Sequence, residues 1–300
     1  MKKTIFKHVL MLLTALVLTC AAASCNSFGS TEYAIISQNN ISADGFIYDK
    51  YENSTVRITG MENTPAVLVI PEKIDGMTVV EIADKAFAEN DKIFYVKLPA
   101  TAIKLGAQTF SGCPALLTID FSSSVAVIPE NTFEGCINLV AIENADSVTE
   151  IAAQAFADCT SLTKFPLPAS LTKIGAEAFR GCASLTSIVI PEAVTEIEES
   201  AFWGCTSLVS VEINGKTSIP AYCFLNCTAL TRVVLGDSVN AIGEEAFRGC
   251  RALYTVELGS GLCEIGDYAV HACDELTEVR SPAKSNIKIG EGNDSLGIQG

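Results

Sequence analysis

Cysteine is the residue type in this 300-residue chain whose spacing could most readily do chemistry. Thiols at a fixed interval could form disulfides, hold a metal ion or, as small hydrophobic groups, fill a buried corner. If the regular interval places the cysteines in stacked turns of the chain, their parallel side chains would keep the sulfur atoms about as far apart as the backbones, about 4.7 to 4.9 Å. We therefore expect buried free thiols, with local disulfides and metal binding as the alternatives. A nearly constant interval separates Cys113, Cys136, Cys159, Cys182, Cys205, Cys227, Cys250 and Cys273.

Other residues offer little for catalysis. Cys223 and Cys263 fall outside the cysteine spacing, and either could be a reactive thiol. His271 occupies a position that varies widely between repeats, so we expect it to be exposed. Glu198 and Glu199 could serve a hydrolase as an acidic pair, but they occur in one repeat only, which favours two solvated carboxylates. The chain has no HExxH, CxxC, P-loop or glycine-rich dinucleotide motif. These features predict no enzyme, no cofactor and no metal site.

The elements that position the cysteines form a repeat. A fixed period of roughly 20 to 29 residues is typical of a solenoid of stacked turns. In such a fold the equivalent residues of successive turns form one continuous core. A cysteine follows three residues after every member but the first of this ladder: Phe87, Phe110, Phe133, Phe156, Phe179, Phe202, Phe224 and Phe247.

One repeat, Ser184 to Cys205, reads SLTSIVIPEAVTEIEESAFWGC. The alternation in SIVI predicts a short strand with one buried face, and the following proline turns the chain. VTEI predicts a second extended piece, and Ala-Phe a compact bend. We therefore predict a repeat solenoid of about nine 23-residue turns with short parallel β-strands.

The pattern CxxLxxIxIPxxVxxIxxxAFxG resembles the BspA-type leucine-rich repeat proteins, over roughly residues 66–281. Thr, Ser, Ala, Lys or Gly stands where the general leucine-rich repeat has asparagine, which fits the BspA-type variant better. The resemblance implies a bacterial surface protein, a leucine-rich repeat solenoid associated with adhesion to host matrix proteins or to other cells. The alternative is a carbohydrate-binding accessory lipoprotein of the envelope, and scarce exposed aromatic residues count against it.

The flanks of the repeat are less regular. Residues 44–65 and the run that follows alternate around a polar Glu-Asn-Ser turn, which predicts an N-terminal β-hairpin cap over the solenoid at 66–281. In the last repeat Val270 replaces the phenylalanine. Residues 282–300 lack the repeat pattern and predict an irregular tail without a cap.

The N-terminus predicts export and a lipid anchor. Residues 1–24 hold three lysines, a short apolar run and small residues before Cys25, as a bacterial secretory signal does, and the run is too short to span a membrane. Small residues before a cysteine resemble a lipobox, so we predict lipidation of Cys25 in an outer-membrane or cell-surface lipoprotein. Cleavage near Ala23 without lipidation is the alternative. Residues 25–43 would then form a tether.

The net charge limits the partners. The chain carries −15 at neutral pH, and loss of Lys2, Lys3 and Lys7 with the signal would bring it to −18. A chain this acidic repels phosphate backbones. We predict a macromolecular partner that is not nucleic acid, an extracellular-matrix or cell-surface protein.

Two surfaces are candidates for binding. Trp and Arg are enriched in binding hot spots, and the position after the phenylalanine holds Arg180, Trp203, Leu225, Arg248 and His271. The plain alternative is that the Trp203 ring folds over the bend and the arginines are solvated. The strand face is the usual binding face of solenoids. Its outward positions include Tyr95, Lys97, Lys164 and Arg232.

Overall fold

Short strands stacked one turn above the next form a parallel β-solenoid of about ten turns, with about 23 residues in each. The predicted repeat solenoid is therefore confirmed. The computed structural model describes residues 33–101, 103–281 and 287–297. The predicted signal, Cys25 and the first part of the predicted tether lie outside the described residues. The described part of the chain contains no helix with the length and hydrophobicity that a membrane span requires.

Six strands build the N-terminal end of the solenoid. They are β1 (Ile35–Ile41), β2 (Phe46–Tyr51), β3 (Thr55–Met61), β4 (Val67–Val69), β5 (Lys73–Ile74) and β6 (Met77–Ile82). The remaining strands are β7 (Tyr95–Lys97), β8 (Lys104–Leu105), β9 (Thr118–Asp120), β10 (Val127–Ile128), β11 (Ala141–Glu143), β12 (Glu150–Ile151), β13 (Lys173–Ile174), β14 (Ser187–Ile190), β15 (Glu196–Ile197), β16 (Ser210–Ile213), β17 (Arg232–Leu235), β18 (Ala241–Ile242), β19 (Thr255–Glu257), β20 (Glu264–Ile265), β21 (Glu278–Arg280) and β22 (Lys288–Ile289). A short 3-10 helix spans Asp294–Leu296.

Parallel ladders join equivalent strands of successive turns. Longer strands pair one repeat apart, as Ile188 does with Val211, and two-residue strands do the same, as Ile151 does with Ile174. In most of these longer strands the second residue is buried, whereas its neighbours, apart from Asp120 and Thr255, are half-buried or exposed. The β-branched residues of the repeat therefore bury one face of each ladder, as their alternation predicts.

The Ala-Phe bend is the most uniform part of each turn. Phe156 donates its backbone N–H to the carbonyl of Ala178 in the next turn at 2.8 Å, and Gln154 and Asp158 donate in the same direction. Gln154 and Asp158 both have left-handed backbones, with φ of 55° and 57°. This alternation of left-handed residues lets three donors of one bend face the next turn, so the bend satisfies its backbone without a strand.

The phenylalanines form a single stack along this bend. Neighbouring ring centroids lie 5.2 to 5.7 Å apart, and their planes differ by 2° to 11°. Phe87 at the start of the stack is 3 % exposed, and the rings from Phe110 to Phe247 are fully buried. Each inner ring contacts a ring above and a ring below, so the stack runs through the core of the solenoid.

The ladder of longer strands breaks once. One sheet ends at β11 and the next begins at β14, so the turn between them, with Lys164, Phe165 and Pro166, contributes no strand. Pro166 has no N–H to donate, and proline is excluded from the interior of a sheet for that reason. Phe165 nevertheless stays in the core, with its ring 5.4 Å from that of Phe156.

The predicted N-terminal hairpin is present, and the chain before it is also structured. Strands β2 and β3 pair in antiparallel register, and β3 joins β6 in parallel. Strand β1 adds a further antiparallel strand from within the segment predicted to be a tether. Its polar side chains gave it the composition of a linker, but Asn40 donates Nδ2 to the carbonyl of Tyr48 at 3.1 Å, and Asp49 accepts from the N–H of Asn39.

The C-terminal segment predicted to be irregular forms a further turn. Strand β22 pairs with β20, and Ile287 and Leu296 are buried. Asn293 holds this turn in place: its Oδ1 accepts from the N–H of Val270 at 3.1 Å, and its Nδ2 donates to the carbonyls of Gly266 and Gly290. One side-chain amide thus supplies the bonds that the missing part of the repeat would have made.

Candidate functional site

The cysteine column holds buried free thiols, as the sequence favoured. Each sulfur donates to the backbone carbonyl of the phenylalanine in the preceding turn, at 3.1 to 3.3 Å. Burial raises the pKa of the Cys273 thiol to about 12, and it also raises the pKa values of Cys159, Cys182 and Cys250. A thiol held in its protonated form is a poor nucleophile and a poor metal ligand. The column therefore joins turns and fills the corner.

The two cysteines outside the column differ from each other. Cys223 is fully buried, in the position that holds alanine in most other bends. Cys263 is exposed, and its sulfur lies 3.2 Å from the carbonyl of Gly261. Of the described thiols Cys263 is therefore the one that reagents can reach.

The candidate catalytic residues do not come together. His271 is exposed and packs edge-on against Tyr268, with ring centroids 5.7 Å apart. Glu198 accepts from Lys173 Nζ at 2.6 Å, and this bond lowers the pKa of the Glu198 carboxyl below its usual value. A general acid needs a raised pKa. The Glu198–Lys173 pair therefore suits a surface ion pair better than proton transfer.

The position after the phenylalanine forms a line along the bend, because the carbonyls of Trp203 and His271 accept from backbone donors of the preceding turns. Most of its charges are already paired. Arg180 contacts Asp158 at 2.8 Å and Glu177 at 2.9 Å, and Arg248 contacts Glu245 at 2.8 Å. Leu225 is half-buried.

Trp203 is the exception in this line. Its side chain is 39 % exposed, so its ring only partly covers the bend. Because Arg180 and Arg248 are paired with carboxylates, the half-exposed ring of Trp203 would have to contact a partner without them. Its contact area is smaller than that of the three residues together.

The strand face carries a polar cluster near its N-terminal end. Asp120 is 5 % exposed and accepts from Asn144 Nδ2 at 2.7 Å and from the N–H of Ser122 at 2.9 Å, with Lys97 Nζ at 3.5 Å. Burial alone would raise the pKa of Asp120, but these hydrogen bonds and the Lys97 charge lower it below its usual value. Tyr95 Oη lies 3.5 Å from the same carboxylate. Tyr95 and Lys97 therefore belong to one cluster.

Arg232 belongs to a second cluster on the same face. It contacts Glu257 at 3.0 Å, and Arg280 contacts the same carboxylate at 3.3 Å. Lys164, between the two clusters, has no ion pair within the described part of the chain. The structure thus brings Tyr95 together with Lys97 and separates them from Arg232 and Lys164.

The structure adds an apolar surface that the sequence reasoning missed. Phe94, Leu117 and Val140 lie seven residues after their phenylalanines and are 43 to 44 % exposed. Leu117 donates its N–H to the carbonyl of Phe94 at 2.8 Å, and Val140 to that of Leu117 at 2.9 Å, so the three stand in register in successive turns. We call these three residues the apolar ridge.

The sequence did indicate the ridge, because its three residues differ from the residue type most common at this position of the repeat. The same position holds threonine in four other repeats, at Thr163, Thr186, Thr231 and Thr277. A threonine suits this corner, since Thr186 Oγ1 donates to the carbonyl of Thr163 at 3.3 Å. Three apolar residues in a row therefore depart from what the fold needs there. The strand positions considered in the sequence begin one residue later, so they did not include these three residues.

Comparisons with known proteins agree on the family and the fold. The sequence pattern that defines the BspA type leucine rich repeat region matches residues 80–209 and 217–293, in six copies. Among proteins with curated descriptions, none matches this chain.

Several solved structures are similar. A leucine rich cell surface protein from Faecalibacterium prausnitzii is 20 % identical, with a TM-score of 0.50 over 87 % of this chain and 97 % of its own. A leucine-rich repeat protein from Bacteroides ovatus is 26 % identical, with a TM-score of 0.42 over 86 % and 93 %. The T. pallidum leucine rich repeat protein is 27 % identical, with a TM-score of 0.47 over 79 % and 91 %. At 20 % identity and a TM-score of 0.50, the structure from Faecalibacterium prausnitzii supports the fold of this chain and nothing about its function.

Proposed function

Because this chain belongs to the BspA-type leucine-rich repeat family, we propose that it is a cell-envelope binding protein, an adhesin that holds a protein on a host matrix or on another cell. The apolar ridge is the observation that carries this proposal. Contiguous apolar side chains on a soluble surface mark contact sites more often than scattered ones do. The ridge joins Phe94, Leu117 and Val140 in three successive turns without a gap.

Charges beside the ridge favour a protein partner of complementary sign. Glu143 lies three residues beyond Val140 in the same turn and is exposed. An apolar centre bordered by charges is the usual anatomy of a protein interface. This carboxylate and the acidic chain as a whole favour a partner whose apolar contact is bordered by Lys or Arg.

Binding to an array of extracellular-matrix proteins and glycans tests the proposal. The chain from Asn26 to Gly300 is compared with a variant in which Phe94, Leu117 and Val140 are all replaced by threonine. Threonine is what four of the six other repeats place at this position, so the variant should keep the fold and its melting temperature. We expect it to lose the protein signal, because exposed apolar anchors dominate binding energy.

Two control variants locate the surface. Val209→Thr changes the same repeat position in the other half of the solenoid, where Val209 is 46 % exposed, and should leave binding unchanged. Trp203→Ala with Arg248→Ala changes the line along the bend. A signal lost only in this double variant would move the site to the bend. A signal from glycans alone would replace the adhesin by a carbohydrate-binding accessory lipoprotein.

The anchor is the second part of the proposal. Residues 1–24 would direct export, and lipid on Cys25 would hold the protein at the outer membrane or cell surface, with the solenoid facing outwards. Metabolic labelling with an alkyne fatty acid should mark the wild-type chain and not a Cys25→Ser variant. A chain released without lipid and cut near Ala23 would contradict the anchor and leave the ridge proposal standing.

A further inference from the structure

The break in the strand ladder opens a groove on the strand face. It lies between the turn that lacks a strand and strand β14, and it has a volume of about 500 Å³. Lys164, Pro166 and Leu167 line one side, and Val189 and Pro191 line the other. Val189 is 52 % exposed, so the groove has an apolar wall that solvent reaches.

A backbone donor is left over at this break. In turns away from the break, the residue eleven positions after the phenylalanine donates its N–H to the next turn: Leu98 bonds Asp120 O at 2.9 Å, and Leu258 bonds Arg280 O at 2.8 Å. Asn144, in the turn just before the break, has no such bond in the described part of the chain. Leu167 holds this position in the turn at the break, and no hydrogen bond joins its N–H to Val189 in the described structure. A backbone donor without a partner beside an open groove is available to a ligand.

Lys164 is the charge at the same place. The other basic residues on the outward strand positions, Lys97, Arg232 and Arg280, all pair with carboxylates. Arg232, eight residues after its phenylalanine, reaches Glu257, ten residues after the next one, at 3.0 Å. The residue that corresponds to Glu257 for Lys164 is Val189. The repeat therefore keeps the cation and replaces its acid by an apolar wall.

We propose that this groove binds a carboxylate of an extended peptide segment, with Lys164 and the N–H of Leu167 as donors and Pro166, Leu167 and Val189 against the flanking apolar side chains. A cation and a backbone N–H together form a charge-assisted site for one carboxylate. A polyanion such as nucleic acid or sulfated glycan is disfavoured, because one lysine does not offset a chain of net charge −15. The apolar walls favour peptide over acidic sugar.

Backbone amide signals of the ¹⁵N-labelled chain from Asn26 to Gly300 test the proposal. The probes are acetyl-valyl-glutamyl-valine amide and the same peptide with glutamine in place of glutamate. We expect the glutamate peptide to shift the Leu167 and Val189 signals in a saturable way. The glutamine peptide should bind at least about tenfold more weakly, since it loses the charge-assisted bond.

Two variants and one control sharpen this test. Lys164→Gln removes the cation, and Val189→Glu supplies an internal partner that copies the Arg232–Glu257 pair; both should abolish the difference between the peptides. Lys92→Gln removes an exposed cation from an earlier turn and should change nothing. The triple threonine variant of the ridge should bind the glutamate peptide as the wild type does, so failure of one proposal leaves the other intact.

Three results would overturn the proposal. One is equal binding of the two peptides, and another is binding that survives Lys164→Gln. The third is a preference for N-acetylneuraminic acid over the glutamate peptide, which would assign the groove to an acidic sugar.

Discussion

The bend and the strand face of this solenoid are built from the same repeats, yet the buried residues of the bend are nearly constant, whereas the residues along the strand face vary between repeats. Along the bend, phenylalanines and thiols occupy equivalent positions and are almost wholly buried. Beside the strand face, Phe94, Leu117 and Val140 stand where four other repeats have threonine. Near Lys164, the ladder of longer strands is interrupted at the turn that contains Pro166. The comparison indicates that the bend supplies stability, whereas the strand face is free to carry recognition.

Alkaline pH should weaken the bend most. Ordinary thiols ionise above about pH 8.5 in an unfolded chain, whereas burial raises the pKa values of Cys159, Cys182, Cys250 and Cys273 and keeps these four thiols protonated in the folded one. The contribution of these thiols to stability is therefore fully present below about pH 8.5, and it is lost as the pH rises towards their raised pKa values in the folded chain. Each of these four thiols should contribute a loss of about 1.4 kcal/mol per pH unit in this window.

Urea unfolding between pH 8 and pH 10 measures this loss. A Cys182→Ala variant has one thiol fewer and should show a shallower dependence, although it starts from a lower stability. A free energy of unfolding that stays constant across this range would show that the column is not held as buried protonated thiols.

The central phenylalanine should have the next largest effect. Phe156 stacks on Phe133 and Phe179 at 5.3 and 5.4 Å, so Phe156→Ala should cost about 3 to 5 kcal/mol of unfolding free energy. Phe87 stacks on Phe110 at the start of the ladder, and Phe87→Ala should cost less. Phe94→Ala, on the ridge, should change stability by less than about 0.5 kcal/mol.

Denaturant titrations of the three variants side by side check this order. If Phe94→Ala destabilised the chain as much as Phe156→Ala, the ridge would be part of the core and the contrast between bend and strand face would fail.

Asn293→Ala should have a smaller effect on stability than Phe156→Ala. Asn293→Ala leaves the N–H of Val270 without its acceptor, a loss of about 1 to 3 kcal/mol that should remain local to the last turn. Amide hydrogen exchange should show faster exchange at Val270, with no change at Phe156. Wild-type protection at Val270 would mean that another group closes the C-terminal end of the bend.

The sequence was enough to predict the uniform side of the molecule. A fixed period predicts that equivalent residues stack, and the rings from Phe87 to Phe247 do. The bonds from cysteine sulfur to the carbonyls of the preceding turn could not be predicted, because they depend on the rotamer and on the offset between turns.

The irregular features were harder to predict, since each depends on a few residues instead of a period. Pro166 was apparent in the sequence, but its effect on the neighbouring turns depends on which backbone donors the ladder uses. Asn293 closes the last turn through one side chain, at the position where Ala269 stands one repeat earlier, and its residue type alone does not indicate these bonds. The segment of β1 was mistaken for a tether because its residues have the polar composition of a linker, although its backbone pairs with β2 and Asn40 and Asp49 add side-chain bonds.

The affinity of the triple threonine variant for a protein captured by the wild-type chain tests the central claim most directly. Surface plasmon resonance with the wild type, the Phe94, Leu117 and Val140 to threonine variant and the Val209→Thr control gives the dissociation constants, and a thermal melt of each checks the fold. We expect a loss of at least about 100-fold, roughly 2.7 kcal/mol, in the triple variant alone, with equal melting temperatures. An unchanged dissociation constant in a folded triple variant would contradict the assignment of recognition to the apolar ridge.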